Sequence, residues 1–455
     1  MSAVATKKSM DLCSGPFVKK ILLYTLPIIA TGLLQLLFNA ADLVVVGQFA
    51  GSEAVGAVGA TGSLINLMVN LFMGLSVGAG VCVAQAIGAK NDDAIHQTVH
   101  TAIPAAFVGG IVLTAVGIAF SPLFLELMET PIELIELSAL YMRIYFAGII
   151  PMLLYNFGAS ILRAAGDTRS PLIFLSIAGV VNVLLNLVFV IVFDMSVAGV
   201  ALATTISQTL SCVLVIRALL RRSDACRLIF ARLHIYPASL IKIVRIGLPA
   251  GVQGSLFSIS NVIIQSSINS FGPIAVSGST AAGNIEGFVY VAMNSFHQTA
   301  MNFTGQNMGA GRYENIGKIM RICLICVLIV GVVLGGACYL FAEPLLSIYL
   351  KNEPAAIAHG VTRMSYVCVV YFLCGLMDVM SGVLRGMGAS LSPMLVTVMG
   401  VCGMRLAWIY TIFHTEQFHT LDCLFLSYPI SWVLTFAALL CVFFVIRARM
   451  KQKRA

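Results

Sequence analysis

Three carboxylates, Asp42, Glu286 and Asp378, stand inside long apolar stretches of the chain. A charged side chain at the centre of a bilayer costs about 2.5–3.5 kcal/mol on insertion scales, so each must face a cavity or a partner. Gln35, Asn39 and Asp42 follow i, i+4, i+7 and share one helix face. Asn182 and Asn186, four apart, share a face of another stretch. Amide and carboxyl groups converging on one site would hold a proton or Na⁺. The amides alone read rather as ordinary interhelical hydrogen bonding, at about 0.6 kcal/mol each in membranes, while Asp42 reads as functional.

A second stripe, Glu286, Tyr290, Met293 and His297, runs i, i+4, i+7, i+11. An acid, an aromatic ring, a soft thioether and an imidazole in one file suit the wall of a cavity for amphipathic cations. The other reading is a face buried against a neighbouring helix, with Glu286 protonated and hydrogen-bonded. Asp378 shares a helix face with Arg385, seven residues on, and an interhelical ion pair with Arg405 suits it as well. No P-loop, nucleophile with its base, or zinc motif accompanies these residues, so neither a primary pump nor an enzyme is expected, and no cofactor. Cys323 and Cys326 form a CxxC inside an apolar run and read as small hydrophobes. His414, Glu416, His419 and Asp422 cluster at spacings that fit no metal motif, and read as a solvated loop.

The elements that must position these groups are membrane helices. The composition is 59% hydrophobic and only 10% charged, against roughly 25% charged in soluble domains. Apolar runs long enough to cross about 30 Å of hydrocarbon recur from Phe17 to Ile446. Lipid cannot satisfy backbone polar groups, so such runs must be helical. Spans are expected at 17–46, 54–86, 95–120, 136–162, 171–193 and 196–220, then at 241–270, 276–307, 317–341, 359–384, 393–413 and 423–446. The first run is too long and too polar for a cleaved signal and reads as a retained helix. A net charge of +8 is spread over loops rather than gathered in a soluble basic domain, which excludes nucleic acid as a partner.

Basic residues collect in loops after even-numbered spans (Lys90, Arg163, Arg169, Arg217 to Arg245, Arg312, Lys318, Arg321, Arg385) and in the tail with Lys453 and Arg454. Acids collect after odd-numbered spans, with Lys351 as the main exception. The positive-inside rule therefore places both termini in the cytoplasm. The two halves also match at a shift of about 222 residues: Pro27 on Pro249, Gln85 and Gly88 on Gln306 and Gly309, and LRAAGDTRSP at 162–171 on LRGMGASLSP at 384–393. Six spans per copy is even, so the copies insert in the same orientation, as in parallel-repeat transporters that rock around a cavity. The expected division is a cytoplasmic segment 1–16, an N-lobe 17–220, a basic linker 221–240, a C-lobe 241–446 and a basic tail 447–455.

With its early LP and Asp42, AQAIGAK closing the second span, LRAAGDTRSP, NVLLNLVFV, VAGVALAT and TGQNMGAG, the chain resembles the multidrug and toxic compound extrusion (MATE) transporters over about residues 15–446. NIEGFVYVAMNSF around Glu286 is most similar to the bacterial branch. The resemblance implies twelve helices in two pseudo-symmetric lobes around a central cavity, in an all-α integral membrane protein. It implies export of cationic or amphipathic organic compounds from a bacterial inner membrane in exchange for H⁺ or Na⁺; because one chain contains both lobes, a monomer is expected to suffice. It assigns an N-lobe ion site to Asp42, Asn182, Asn186 and Thr204; the helix-face spacing adds Asn39 there and places Gln35, Glu286, Tyr290, Met293, His297 and Asp378 at the substrate cavity. Asn186 departs from the family, where an Asp is often found, and this shifts the expectation towards H⁺. Span 7 has no acid for the C-lobe ion site known in part of the family. The alternative is a flippase for a lipid-linked precursor, which needs a basic cavity, whereas intramembrane Arg405 stands against three acids.

Overall fold

The computed structural model describes residues 10–49, 51–128, 132–350 and 353–452. Positions 1–9, Lys351, Lys453 and Arg454 lie outside the described residues. Every regular element among those described is helical. The first half contributes α1 (Phe17–Phe49), α2 (Gly51–Gly88), α3 (Asp92–Leu127), α4 (Ile132–Ala147), α5 (Ile149–Ala164), α6 (Arg169–Leu187) and α7 (Ser196–Leu220). The second contributes α8 (Pro237–Asn269), α9 (Pro273–Gly309), α10 (Tyr313–Leu340), α11 (Ala342–Tyr349), α12 (Pro354–Val367), α13 (Phe372–Gly386), α14 (Leu391–Thr397), α15 (Met404–Trp408) and α16 (Leu421–Gln452).

Among the described residues nine helices are long and apolar enough to cross a membrane, and two bent pairs raise the number to eleven. Helix α9 has the length for a twelfth, since its 37 residues rise about 1.5 Å each; its Ser, Asn, Gln and His residues keep it out of the apolar set. The outward faces are hydrocarbon: Ile325, Ile329, Val332 and Val333 form an exposed stripe along α10. Water would not tolerate such a surface, and lipid requires it.

Two expected spans are not straight. The stretch 136–162 breaks between α4 and α5, and 359–384 breaks between α12 and α13, each by 47°. The two breaks occupy the same place in the repeat. At the first, Gly148 sits so close to Thr205 that a Cβ would lie 2.5 Å from its hydroxyl. At the second, the Cys368 carbonyl approaches Gly335 of α10 to 2.1 Å from where a Cβ would be. A neighbouring helix thus seats each bend where no hydropathy signal marks it.

The repeat is visible at atomic level after α5 and α13. Gly166 and Gly388 each have φ of +86°. Gly166 N–H donates to Arg163 O and Asp167 N–H to Leu162 O, while Gly388 N–H donates to Arg385 O and Ala389 N–H to Leu384 O. Both are Schellman caps, in which glycine takes the left-handed position at no steric cost. Corresponding helices also carry π-helical turns, at Val188–Val192 after α6 and at Val398–Gly403 and Ile409–Phe413 flanking α15.

By contacts the chain divides into two compact units, the first chiefly Leu22–Ser255 and the second chiefly Leu256–Met308 with the residues after Arg312. In the first, α5 packs on α2, α3 and α7, and α6 packs on α7. The connection after α7 is pinned to α3, with Ile229 N–H donating to His100 Nε2 at 3.1 Å and Tyr236 N–H to Thr101 Oγ1 at 3.1 Å. Helix α2 meets the start of α8 through Gly74 and Gly78 against Gly247 and Gly251, so that a Cβ on Gly74 would lie 2.1 Å from Gly251 N. Small residues four apart on both helices let the backbones touch, which is how membrane helices associate without a hydrophobic drive. Gly74→Val forces that crossing apart. Its expected cost is about 1–3 kcal/mol or more, as for overpacking elsewhere, read as a lower melting temperature in detergent. An unchanged melting temperature would show that the crossing is loose.

In the second unit, α13 lies against α10 and α16, and α12 against α16. A cluster of Ala281, Ala282, Ile285, Ala342, Leu346, Met364 and Cys368 forms part of its core.

Candidate functional site

In the first unit, α1 approaches α6 where the Phe38 ring lies over Gly179, with a Cβ there only 1.8 Å from the ring. Asp42 is one turn beyond Phe38, and Asn182 and Asn186 lie one and two turns beyond Gly179. The absent side chain at 179 therefore sets the register that brings the carboxylate to the two amides. Asn186 Nδ2 donates to Asp42 Oδ1, and to Asn182 Oδ1 at 3.3 Å. Asn182 Nδ2 donates to Thr204 Oγ1 at 3.3 Å, and Thr204 Oγ1 donates to Asp42 Oδ2 at 3.5 Å. Four side chains from three helices close a ring of hydrogen bonds, and Asn186 Oδ1 is buried with no hydrogen-bond partner among the described residues. Such a ring holds one carboxylate and spare oxygen acceptors in a setting that discourages a bare charge. Proton uptake or coordination of a small cation at Asp42 would both suit it. The valine wall beside it is Val45, Val46, Val190, Val197 and Val200.

The structure thus brings Asp42, Asn182, Asn186 and Thr204 together. Asn39 and Gln35, one and two turns earlier on α1, are exposed and make no described bond to the ring.

In the second unit the expected cavity stripe is divided among three environments. Glu286, 5% exposed, accepts from Arg363 Nε and Nη2 at 2.8 Å each, while Arg363 Nη1 donates to Ser279 Oγ at 2.7 Å. Phe425 lies beneath the guanidinium, 5.8 Å from ring centroid to Cζ. Glu286 is therefore not a free carboxylate awaiting a cationic cargo; its charge is met within the protein. Met293 is fully buried against Gly331 and Gly375. Tyr290 remains 37% exposed.

His297 Nδ1 bonds the Asp378 backbone carbonyl at 2.6 Å, and its Nε2 faces Arg385 Nη1 at 3.4 Å. A carbonyl only accepts and a guanidinium only donates, which assigns a neutral imidazole protonated on Nδ1. Asn294, Tyr290 and Arg385 surround the Asp378 carboxylate. Its neighbouring cation is thus Arg385, on its own helix, and no bond joins it to Arg405. Arg405 turns instead to Ser431 Oγ at 3.0 Å and to the rings of Tyr428 and Trp432, at 4.1 and 5.7 Å from Cζ.

The sequence reading gave no role to Arg363, Asn294 or the Tyr428–Ser431–Trp432 cradle. Arg363 carried a signal, since it falls inside an apolar run close to the repeat position of Arg143. The expected balance of one intramembrane arginine against three acids is corrected: in the second unit Arg363, Arg385 and Arg405 stand against Glu286 and Asp378. Among the described residues no group of three or more His, Cys, Asp or Glu could hold a metal ion; His419 stacks on Phe271 and lies tilted against Phe413.

The sequence pattern of the MatE family matches residues 27–188 and 249–411, two copies whose starts are 222 residues apart, as the internal repeat requires. The probable multidrug resistance protein YoeA of Bacillus subtilis is 26% identical over 422 residues, which covers 91% of this chain and 90% of that protein. A Shewanella oneidensis protein named an FAD transporter is 25% identical over 350 residues, covering 75% of this chain and 76% of its own. A multidrug resistance MATE family transporter of the MOP superfamily, solved in an outward-facing conformation, superposes with a TM-score of 0.91 at 21% identity, covering 98% of this chain and 100% of that one. With both repeats matched and the whole helical array shared, the chain belongs to the MatE family, the multidrug and toxic compound extrusion transporters, and is a multi-pass membrane transporter rather than an enzyme.

Proposed function

We propose that this transporter exports cationic or amphipathic organic compounds across a bacterial inner membrane in exchange for an inward-moving ion. Both termini lie in the cytoplasm, and one chain suffices. The observation that carries the reading is the closed ring of Asp42, Asn182, Asn186 and Thr204. With an amide rather than a second acid at 186, Asp42 is the one carboxylate in the ring, which favours H⁺ over Na⁺. An ion taken up there repacks α1 against α6 and α7, and that change releases the cargo. The names of the relatives support the cargo class: multidrug resistance for YoeA, and FAD, an amphipathic aromatic compound, for the Shewanella protein.

One net charge moving inward gains about 2.3 kcal/mol per 100 mV. One-for-one exchange of a monovalent cation for H⁺ moves no net charge and draws on the proton gradient alone.

The test is ethidium movement in proteoliposomes under an imposed pH gradient or an imposed Na⁺ gradient. Movement driven by the pH gradient is expected. Movement under the Na⁺ gradient alone would replace the ion, and none under either, with the protein folded, would overturn the reading.

A further inference from the structure

Arg405 is 4% exposed and lies on α15, between two π-helical segments. Buried ionisable groups in membrane proteins are costly and are kept for a purpose, and π-helical turns concentrate at functional sites. Of the other buried charges of this unit, Glu286 is paired with Arg363, and Asp378 has Arg385 as its neighbouring cation beside a neutral His297, although its Oδ2 accepts no hydrogen bond among the described residues. Arg405 alone has no carboxylate partner among the described residues. Its described hydrogen bond uses Nε alone, towards Ser431.

The way it is held matters. Tyr428 and Trp432 pack against the guanidinium, an attraction to the ring faces that fixes the group without consuming its terminal N–H donors. Those donors match a planar oxyanion, which a guanidinium engages bidentately. The same rings continue outward as a file. Trp432 stacks on Tyr371 at 5.3 Å, and Tyr371 on Tyr290 at 6.3 Å, both at 28° between planes. The file is open at Tyr290, 37% exposed, and closes at Arg405. A flat aromatic body matches such a file, and a negative group at its end would meet a cation that has no carboxylate partner among the described residues.

We propose that Arg405 and the file Tyr290, Tyr371, Trp432 and Tyr428 form a subsite in the second unit for planar aromatic compounds that carry a carboxylate. Its role in transport rests on the export reading above, but binding needs no gradient and is measured apart from it. A cargo with a cationic part elsewhere and an acid at this end would use both chemistries. The simpler alternative is that Arg405 only ties α15 to α16.

The chain has two tryptophans, so Trp408→Phe leaves Trp432 as the sole fluorescent reporter. Trp408 donates to Cys423 O at 3.0 Å, and no described ring contact joins it to the proposed file. The full-length W408F protein in detergent is titrated with para-nitrobenzoate and with para-nitrobenzamide, of the same shape but neutral. The carboxylate is expected to quench Trp432 saturably, with an affinity at least about tenfold above that of the amide, as charge-assisted hydrogen bonds require. Arg405→Gln should abolish the preference. Arg405→Lys, which keeps the charge and the fold but loses the planar fork, should weaken it severalfold. Equal binding of carboxylate and amide in W408F overturns the proposal whether or not the glutamine variant folds. So does a preference that survives in Arg405→Gln. If the carboxylate fails while dodecyl phosphate quenches, the occupant is a lipid phosphate and the aromatic-cargo proposal falls. Ethidium transport that fails while this binding succeeds would sink the export reading and leave the subsite standing.

Discussion

Asp42→Asn should abolish gradient-driven ethidium transport and leave the protein as stable as the wild type or nearly so. The amide has the shape of the carboxylate, so the contacts of α1 with α6 persist. One acceptor is lost from the ring of Asn186, Asn182 and Thr204, which costs about 1–3 kcal/mol if the orphaned donor stays buried. Against that stands relief from burying a charge, and the two offset one another. The coupling site suffers no such compromise. An amide takes up no proton at any physiological pH, and an ion gradient with no binding site performs no work on the cargo. The rate under an imposed pH gradient should therefore fall more than about tenfold, the factor that roughly 1.4 kcal/mol of lost drive represents. Asp42→Glu, which keeps the acid but displaces it by one methylene, should retain part of the rate. Both variants are compared with wild type in the same liposomes, with melting temperatures measured alongside. A wild-type rate in folded Asp42→Asn would remove this carboxylate from coupling.

That ring was half legible in the sequence, and the reason is geometric. Helical spacing put Asn182 and Asn186 on one face and placed Asp42 on another helix, because periodicity is a property of a single segment. The joining of the two faces depends on Phe38 reaching over Gly179, a contact between segments 141 residues apart that no spacing reveals. Thr204 came from the family resemblance alone, and its place in the ring is an outcome of folding. The repeat was legible because it is written in identities at a fixed shift, and the paired Schellman caps at Gly166 and Gly388 show what those identities are for. The 47° bends were not, since they are fixed by Gly335 and Thr205 on neighbouring helices. Intramembrane charge was the least legible feature. Counting acids and bases along a line cannot say which of them meet, and Arg363 and Arg385 together change the sign of the second unit's interior.

The same pairing yields the second large effect: Glu286→Gln should destabilise the protein by about 3–5 kcal/mol, the usual cost of stranding one member of a buried pair. Arg363 Nε and Nη2 would lose two charge-assisted bonds and keep Ser279 and the Phe425 ring as company. A guanidinium cannot shed its proton, so the stranded charge persists at every pH. Arg363→Met strands the acid instead, and a buried carboxyl can neutralise itself by taking up a proton. That variant should be the milder of the two. The double variant removes both charges and should recover much of the loss, which a double-mutant cycle on melting temperatures would report as a strong coupling between the two positions. The opposite result has a definite meaning. If Glu286→Gln melts like the wild type and instead fails to bind ethidium, the ion pair contributes little and Glu286 serves the cargo, as the helical stripe of Glu286, Tyr290, Met293 and His297 first suggested.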